Sequence, residues 1–475
     1  MNQGARGRVR PARHTSYFDL LEELARPGCA ICRLAKRTTF RYLDMLSYEN
    51  VNDPGVRATL RGSRGFCNYH AWQFSDEADD GLGTAIIYRD IILNVGRLLP
   101  DGSGPAVSLR RSLAEFGSGP SSPGRALAKH LAPRGECLAC HQLDLLTRVY
   151  VSTLIEHLDD PQLSIALSRS SGLCLPHLRQ ALARAEEPEQ VEFLTRVMGE
   201  AYARASHADG DAAMALPLLV GAPGVTLALP PAPDGFVRGE AEALITPGDG
   251  CPVCRGAIAA ADTRSRELAS AKDEAVGALC NNHAARYLDL GLDSDGMIWG
   301  QLLAGLGERL LGTPRPAASP RGPYVAALAA LGGQPVPRPG ADLAKELAPS
   351  VACPACLAQQ EAEQAITALV SQEEHGALCL SHFALGLLLP TDPRTLRSLA
   401  TLQASAYEGI VASLSEFIRK RDYRFTHEPP GEEADSPERA VALVAGARGL
   451  SSVGVLPGAP RPVAGRRPAR SGARG

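Results

Sequence analysis

The sequence predicts an all-α protein of four similar helical units with flexible linkers and a disordered C-terminal tail. Three observations predict it. One cysteine–histidine phrase is written four times and accounts for all twelve cysteines of the 475-residue chain. Apolar residues recur at helical spacing between and after the phrases. Aromatic residues are only 5% of the chain, and the abundance of alanine, leucine and arginine leans helical.

The phrase is a Cys-x-x-Cys pair followed by a Gly and a Cys-x-x-His pair. The first copy is Cys29, Cys32, Cys67 and His70, with Gly65; the second is Cys137, Cys140, Cys174 and His177, with Gly172. The third is Cys251, Cys254, Cys280 and His283, with Gly277; the fourth is Cys353, Cys356, Cys379 and His382, with Gly376. Thiolate and imidazole are the donors that zinc favours, four to an ion in a tetrahedron. Two residues between ligands form a tight knuckle at a helix start. The pattern therefore predicts four structural zinc ions. Four protein donors leave no open position for water or substrate, so hydrolytic catalysis is disfavoured. Such a site contributes on the order of 10–16 kcal/mol of apparent binding free energy, which is also folding free energy.

The elements follow in order. Unit one spans 15–99. Ile31, Leu34, Thr38, Tyr42 and Met45 share an outgoing helical face. Asn52 to Gly55 signals a turn, residues 56–62 form a short return helix, and Ile87, Ile91, Val95 and Leu98 mark a closing helix. Unit two, 124–205, repeats the plan, with Leu146, Val149, Tyr150, Thr153 and Leu154 outgoing, a turn at Asp159 to Pro161, and Val191, Leu194, Met198 and Ala201 closing. A linker at 206–245 precedes unit three at 246–312, and a second linker at 313–345 precedes unit four at 346–428. Unit four carries the stripe Ala362, Ala365, Ile366, Leu369 and Val370 and a long helix with Leu396, Leu399, Ile410, Leu414 and Phe417. Residues 429–475 are a C-terminal segment and a basic tail. The copies start 108, 114 and 102 residues apart, a divergent internal duplication.

Between the second and third cysteine lie 34, 33, 25 and 22 residues in the four copies. A 13-residue helix rises about 20 Å, and about nine extended residues cover the return. Even the shortest gap thus allows each site to close within its own repeat. Exchange of pairs between neighbouring repeats is the alternative that spacing leaves open.

Charge and composition exclude several classes. The formal net charge is −3, but residues 1–14 hold four arginines and 455–475 hold five, so the remainder is strongly acidic. That balance fits a nucleic-acid binder poorly, because such affinity comes from cations meeting phosphates. The N-terminus lacks a signal-like apolar core, and no long apolar run predicts a membrane helix. The expected location is cytoplasmic, where disulfides are rare. Cys137, Cys140 and His141 spell a haem-attachment signature, yet Arg33, Arg255 and Leu357 hold the histidine's place in the other copies. No strand–helix–strand pattern supports a thioredoxin-like pair, and an iron–sulfur centre is the weaker match to three cysteines and a histidine. His157, His207, His375 and His427 read as surface or satisfied core residues, and Trp72 and Trp299 as core. No nucleotide loop, nucleophile elbow or supported carboxylate pair occurs.

The segments YFDLLEELARPGCAICRLA, YENVNDPGVRATLRGSRGFCNYHAW and SSGLCLPHLR resemble an uncharacterised bacterial family, the domain of unknown function 6062. Glu416 to Gly446 is similar to that family's ending, and units three and four resemble extra copies placed before it. The resemblance implies a cytoplasmic bacterial protein with Cys and His motifs and no established activity. Asp422 to Phe425, with Glu432, Glu433 and Asp435, is the most distinctive stretch outside the ligand motifs, read as capping and salt-bridging or as a polar partner surface. The functional expectation is a non-enzymatic zinc-binding scaffold or adaptor for protein–protein interaction. The alternatives are a redox- or zinc-responsive regulator and nucleic-acid binding through the basic tails.

Overall fold

The computed structural model describes residues 12–79, 81–99, 123–206, 212–224, 249–272, 274–292, 297–316, 338–370, 376–389, 393–425 and 427–450. Among them every regular element is a helix. The first repeat holds α1 (Thr15–Leu24), α2 (Ala30–Met45), α3 (Pro54–Ser63), α4 (Asn68–Gln73) and α5 (Leu82–Gly96). The second holds α6 (Pro123–Leu131), α7 (Leu138–Glu156), α8 (Pro161–Arg169), α9 (Leu175–Arg184) and α10 (Pro188–Ser206), followed by α11 (Ala212–Val220). The third holds α12 (Pro252–Ala271), α13 (Asn281–Asp289) and α14 (Met297–Leu311). The fourth holds α15 (Ala341–Glu346), α16 (Pro354–Val370), α17 (Leu380–Gly386) and α18 (Pro393–Lys420), and α19 (Ser436–Ala445) ends the described chain.

Local chemistry explains the turns. Asp53 and Asp160 are matching N-caps, each followed by a proline at the first helical position. Asp53 accepts the Val56 N–H, and Asp160 accepts those of Gln162 and Leu163. A carboxylate at the cap satisfies an orphan donor, and the proline gives up an N–H that the helix does not need. Asp160 does more than the turn signal implied. Tyr17 donates to it at 2.9 Å and Arg13 pairs with it, which fastens α1 to the start of α8.

The chain gathers into two compact units. Unit 1 comprises 1–41, 142–235 and 261–358; unit 2 comprises 42–141, 236–260 and 359–475. The division falls inside α2, α7, α12 and α16, the helices that follow the four Cys-x-x-Cys pairs, so each begins in one unit and ends in the other. The two units are built from corresponding parts. In unit 1, α10 packs on α14 and α11 covers both. In unit 2, α18 packs on α5 and α19 covers both. Likewise α15 packs on α9 in unit 1, and α6 on α17 in unit 2. The core of unit 1 includes Tyr17, Leu34, Leu154, Tyr202, Tyr287 and Trp299; that of unit 2 includes Leu43, Phe74, Tyr88, Ile91, Leu414 and Val441.

Two expectations are corrected. The first is that each site closes within its own repeat. The Cys-x-x-Cys and Cys-x-x-His pairs of every repeat belong to different units. The outgoing helix carries the chain away from its first pair, and the return leg is itself helical in the first two repeats, α3 and α8. A helix covers only about 1.5 Å per residue, less than half the reach of extended chain. The second correction concerns 206–245. That stretch includes α11, whose Ala215, Leu216, Leu218 and Val220 are buried. The closing helix of repeat one ends at Gly96, before Leu98. A linker is also expected within Pro100 to Gly124; residues 100–122 of that stretch, most of the linker at 313–345, residues 1–11 and the C-terminal basic tail lie outside the described residues, as do His207 and His375.

Candidate metal centres

All eight ligand pairs have one local geometry. Cys67, Cys174, Cys280 and Cys379 are each the N-cap of a helix, with φ of −64°, −67°, −72° and −66° and extended ψ. Their histidines follow three positions later, at the end of the first turn. Cys29, Cys137, Cys251 and Cys353 stand immediately before α2, α7, α12 and α16, with Cys32, Cys140, Cys254 and Cys356 three positions on. Each of the eight leading cysteines gives its carbonyl to the N–H four residues ahead, the first bond of its helix. Side chains at the cap and at the third helical position converge, as they do in a capping box. Here they present two metal donors instead. Each centre is therefore formed where the N-termini of two helices meet, and the partial positive charge of those termini favours a thiolate-rich centre.

The centres pair neighbouring repeats. Cys29 and Cys32 meet Cys174 and His177, and Cys280 and His283 meet Cys353 and Cys356, both in unit 1. Cys67 and His70 meet Cys137 and Cys140, and Cys251 and Cys254 meet Cys379 and His382, both in unit 2. All sixteen candidate ligands fall into these four groups. In every group the histidine presents Nδ1. His177 Nδ1 lies 3.4, 3.4 and 3.1 Å from the sulfurs of Cys29, Cys32 and Cys174. His70 Nδ1 lies 3.3, 3.8 and 3.3 Å from those of Cys67, Cys137 and Cys140. For His382 the distances are 3.4, 3.4 and 3.2 Å to Cys251, Cys254 and Cys379. For His283 they are 3.4, 3.4 and 3.3 Å to Cys280, Cys353 and Cys356. Sulfur–sulfur distances between the two helices of a centre are 3.5, 3.6, 3.6 and 3.7 Å. A tetrahedral ion with bonds of about 2.3 Å to sulfur and 2.05 Å to nitrogen sets its donors about 3.8 Å and 3.6 Å apart. The observed edges lie within about half an ångström of those values, so each group can hold one metal ion.

Electrostatics agree with that donor chemistry. Burial opposes a charge on His70, His177 and His283, but the adjacent sulfurs outweigh it and push each imidazole up to about 10. For His382 burial is again overcome by Cys251 and Cys254, with Glu363 adding to the rise. Each centre thus has a strong demand for positive charge, which a metal ion satisfies.

Surrounding residues hold the ligands in place. Glu363 is buried 3.6 Å from His382 Nε2 and takes a hydrogen bond of 2.9 Å from Gln359. This places a carboxylate behind a candidate ligand histidine, within ion-pair range of its outer nitrogen. The apolar residue before each third cysteine is buried. Leu173 gives its N–H to Met198 Sδ and accepts from Tyr202, while Gln403 both accepts from and donates to the Leu378 backbone. The preceding glycine has positive φ in three copies, +90° at Gly65, +88° at Gly172 and +96° at Gly376. Gly277 does not, and a Cβ there would lie 2.8 Å from the tip of the Leu302 side chain, which would have to shift. Buried Glu23 receives Arg33 Nε at 2.7 Å and Arg37 at 2.9 Å, and so ties α1 to the helix that bears Cys32.

A Gly-Ala-x-Gly loop after α11 and after α19 covers matching centres. A Cβ at Gly221 would stand 3.6 Å from Cys174 Sγ, and one at Gly446 3.5 Å from Cys254 Sγ. Asn281, next to Cys280, donates to the Ala222 carbonyl, and Asn68, next to Cys67, donates to those of Ala445, Gly446 and Ala447. Each loop so connects the two centres of its unit. The recurrence at 221–224 and 446–449 is a sequence signal that marks them as counterparts.

The other singled-out residues fall as follows. His157 is buried against the Tyr17 ring, and His141 is exposed beside Glu136. His427 is exposed. Trp299 is fully buried; Trp72 is half-buried and donates to the Gly446 carbonyl. Glu433 is buried and paired with Lys420 at 2.8 Å, whereas Asp422 pairs with Arg424 at the surface and is held to about 2 by it.

Fold and centres together define an all-helical protein with four candidate metal centres of three cysteines and one histidine. Residues 19–202 match the model of a family of unknown function (DUF6062), a stretch that takes in the ligand motifs of repeats one and two. The stretch Glu416 to Gly446 lies beyond the matched residues. No curated protein and no solved structure matches the chain.

Proposed function

We propose that this protein is a non-enzymatic scaffold or adaptor, held in shape by four structural zinc ions, that works by binding another protein. The observation that carries this reading is the closure of all four centres by four protein donors each. No coordination position is left for water or substrate, the requirement of a catalytic zinc. Zinc suits the donor set, and the single-ion edge lengths favour it over a polynuclear iron–sulfur cluster, whose cysteines bind different irons. A reducing cytoplasm suits twelve thiols kept as ligands. Among the described residues no helix is long and apolar enough to cross a membrane. Support for a protein partner comes from the exposed aromatics Tyr48 and Tyr423, at 92% and 84% exposure, a residue type enriched at interfaces.

Metal analysis of the purified chain is expected to give four zinc ions; two or fewer would refute the reading. Removal of the metal by a strong chelator should collapse the helical circular dichroism signal, because the ions contribute folding free energy. Unchanged helicity and melting after confirmed loss of metal would also refute it. A partner captured by the zinc-loaded chain and not by the stripped chain would establish the adaptor role.

A further inference from the structure

The four centres differ in one respect that their common geometry does not require. The cysteines of three centres are all buried. Cys67, Cys137 and Cys140 are each partly exposed. The counterpart centre, Cys280, His283, Cys353 and Cys356, combines the same two motif types and is buried throughout. Thiolate oxidation follows exposure as well as thiolate character. We propose that the Cys67–His70–Cys137–Cys140 centre is a modification site for hydroperoxides, at which oxidation forms a disulfide and ejects the metal while the other three centres persist.

The step balances as follows. One thiolate sulfur attacks the peroxide, the O–O bond breaks, and a sulfenic acid forms with release of hydroxide. A second thiolate attacks the sulfenic sulfur, the S–S bond forms, and the second hydroxide leaves. Two solvent protons convert both hydroxides to water, so two thiolates are oxidised and one hydrogen peroxide is reduced. The sulfurs of Cys67 and Cys140 stand 3.6 Å apart and are the pair that closes. His70 and Cys137 are then the two donors left at the centre, too few to hold an ion tightly.

A readout is built in beside the centre. Asn68, adjacent to Cys67, holds the carbonyls of Ala445, Gly446 and Ala447, and Arg448 stacks on Trp72 while pairing with Asp76. The same loop gives the Ala447 N–H to Cys254 Sγ. Displacement of Cys67 therefore releases the 445–448 loop from α4.

This inference rests on zinc occupying the centres, and the test separates the two claims. Zinc is first counted on the full-length chain; two or fewer ions overturns the zinc reading and this inference with it, and three ions with the Cys67–His70–Cys137–Cys140 centre empty overturns this inference alone. With four bound, hydrogen peroxide is added stepwise, released zinc is read with a chromogenic chelator, and thiols are mapped by alkylation and peptide mass analysis. One zinc should leave at least about tenfold faster than the rest, with a Cys67–Cys140 disulfide and the nine cysteines of the other three centres still metal-protected. Hydrogen exchange should rise at 445–448 in step with that release, and a thiol reductant with zinc should reverse both. Simultaneous loss of all four ions, or first oxidation at any of the nine buried cysteines, would overturn the inference while leaving the zinc reading intact.

Discussion

Unit 1 and unit 2 are assembled from corresponding parts, yet unit 1 encloses both of its centres while unit 2 leaves one partly open. Ligand geometry is the same in both, because it comes from helix N-termini that recur in the same form in every repeat. Exposure comes instead from what packs over each centre. The difference separates two things usually attributed together to a metal site: how well the donors are placed, and how well solvent is kept out.

The largest effect that would sharpen the comparison is ligand loss. Cys356→Ala empties a buried position that water cannot readily fill, so the ion should be lost at a cost of about 4 kcal/mol or more. Cys140→Ala opens a partly exposed position where water can complete the tetrahedron, at a cost of about 2 kcal/mol. Zinc counting and thermal melts on both variants measure this, and equal losses would erase the distinction drawn from exposure.

A smaller effect tests whether the units truly correspond. Gly124 on α6 and Gly340 before α15 pack against the backbone carbonyls of Leu387 and Leu182, at the ends of the matching helices α17 and α9. A Cβ at either glycine would overlap the carbonyl oxygen it faces. Gly124→Ala and Gly340→Ala should therefore each destabilise by about 1–3 kcal/mol or more, a loss that denaturant melts would show in both variants or, if the correspondence is false, in one.

The smallest effect concerns the paired caps. Burial raises the Asp160 carboxyl, but hydrogen bonds from Arg13, Tyr17 and two backbone N–H groups outweigh it and hold it at about 2. A depressed carboxylate contributes stability above its unfolded pKa of about 4 and loses it as pH falls through about 2. Asp160→Asn should cost about 1–2 kcal/mol at pH 7, after allowance for the solvent around Arg13, and the gap to the parent should close between pH 4 and 2. Asp53→Asn, which lacks a tyrosine or arginine partner among its hydrogen bonds, should cost less; an equal loss at pH 7 would contradict the assignment.

Much of this was legible before the structure. The helix class followed from periodicity, and the ligand identities from four matched phrases, because metal donors at a helix start leave a fixed spacing. The pairing of those ligands was not legible. Spacing bounds how far a chain can reach, and the 34 and 33 residues of repeats one and two can reach back when extended, but the helical return of α3 and α8 decides that they do not. Glu23 and Glu363 were missed because a buried carboxylate looks like any other acidic residue until its partners arrive from elsewhere in the fold. The stretch 206–245 reads as linker because Pro217 and the glycines around it hide α11, a helix whose stability comes from packing on α14. Asn68 and Asn281 carried a signal, the same residue directly after the third cysteine of repeats one and three, that spacing alone did not weigh.

The crossed ligand pairs also fix when a growing chain could close a metal centre. A chain emerging from the ribosome with repeat one complete offers two half-sites of two donors each, Cys29 with Cys32 and Cys67 with His70, and neither can hold an ion tightly. The second centre closes only once Cys140 is out, and the first only at His177, about 145 residues beyond Cys32. The same wait recurs between repeats three and four. Synthesis stopped after one repeat leaves exposed thiolates and no ion, so repeats are expected to be gained and lost in pairs.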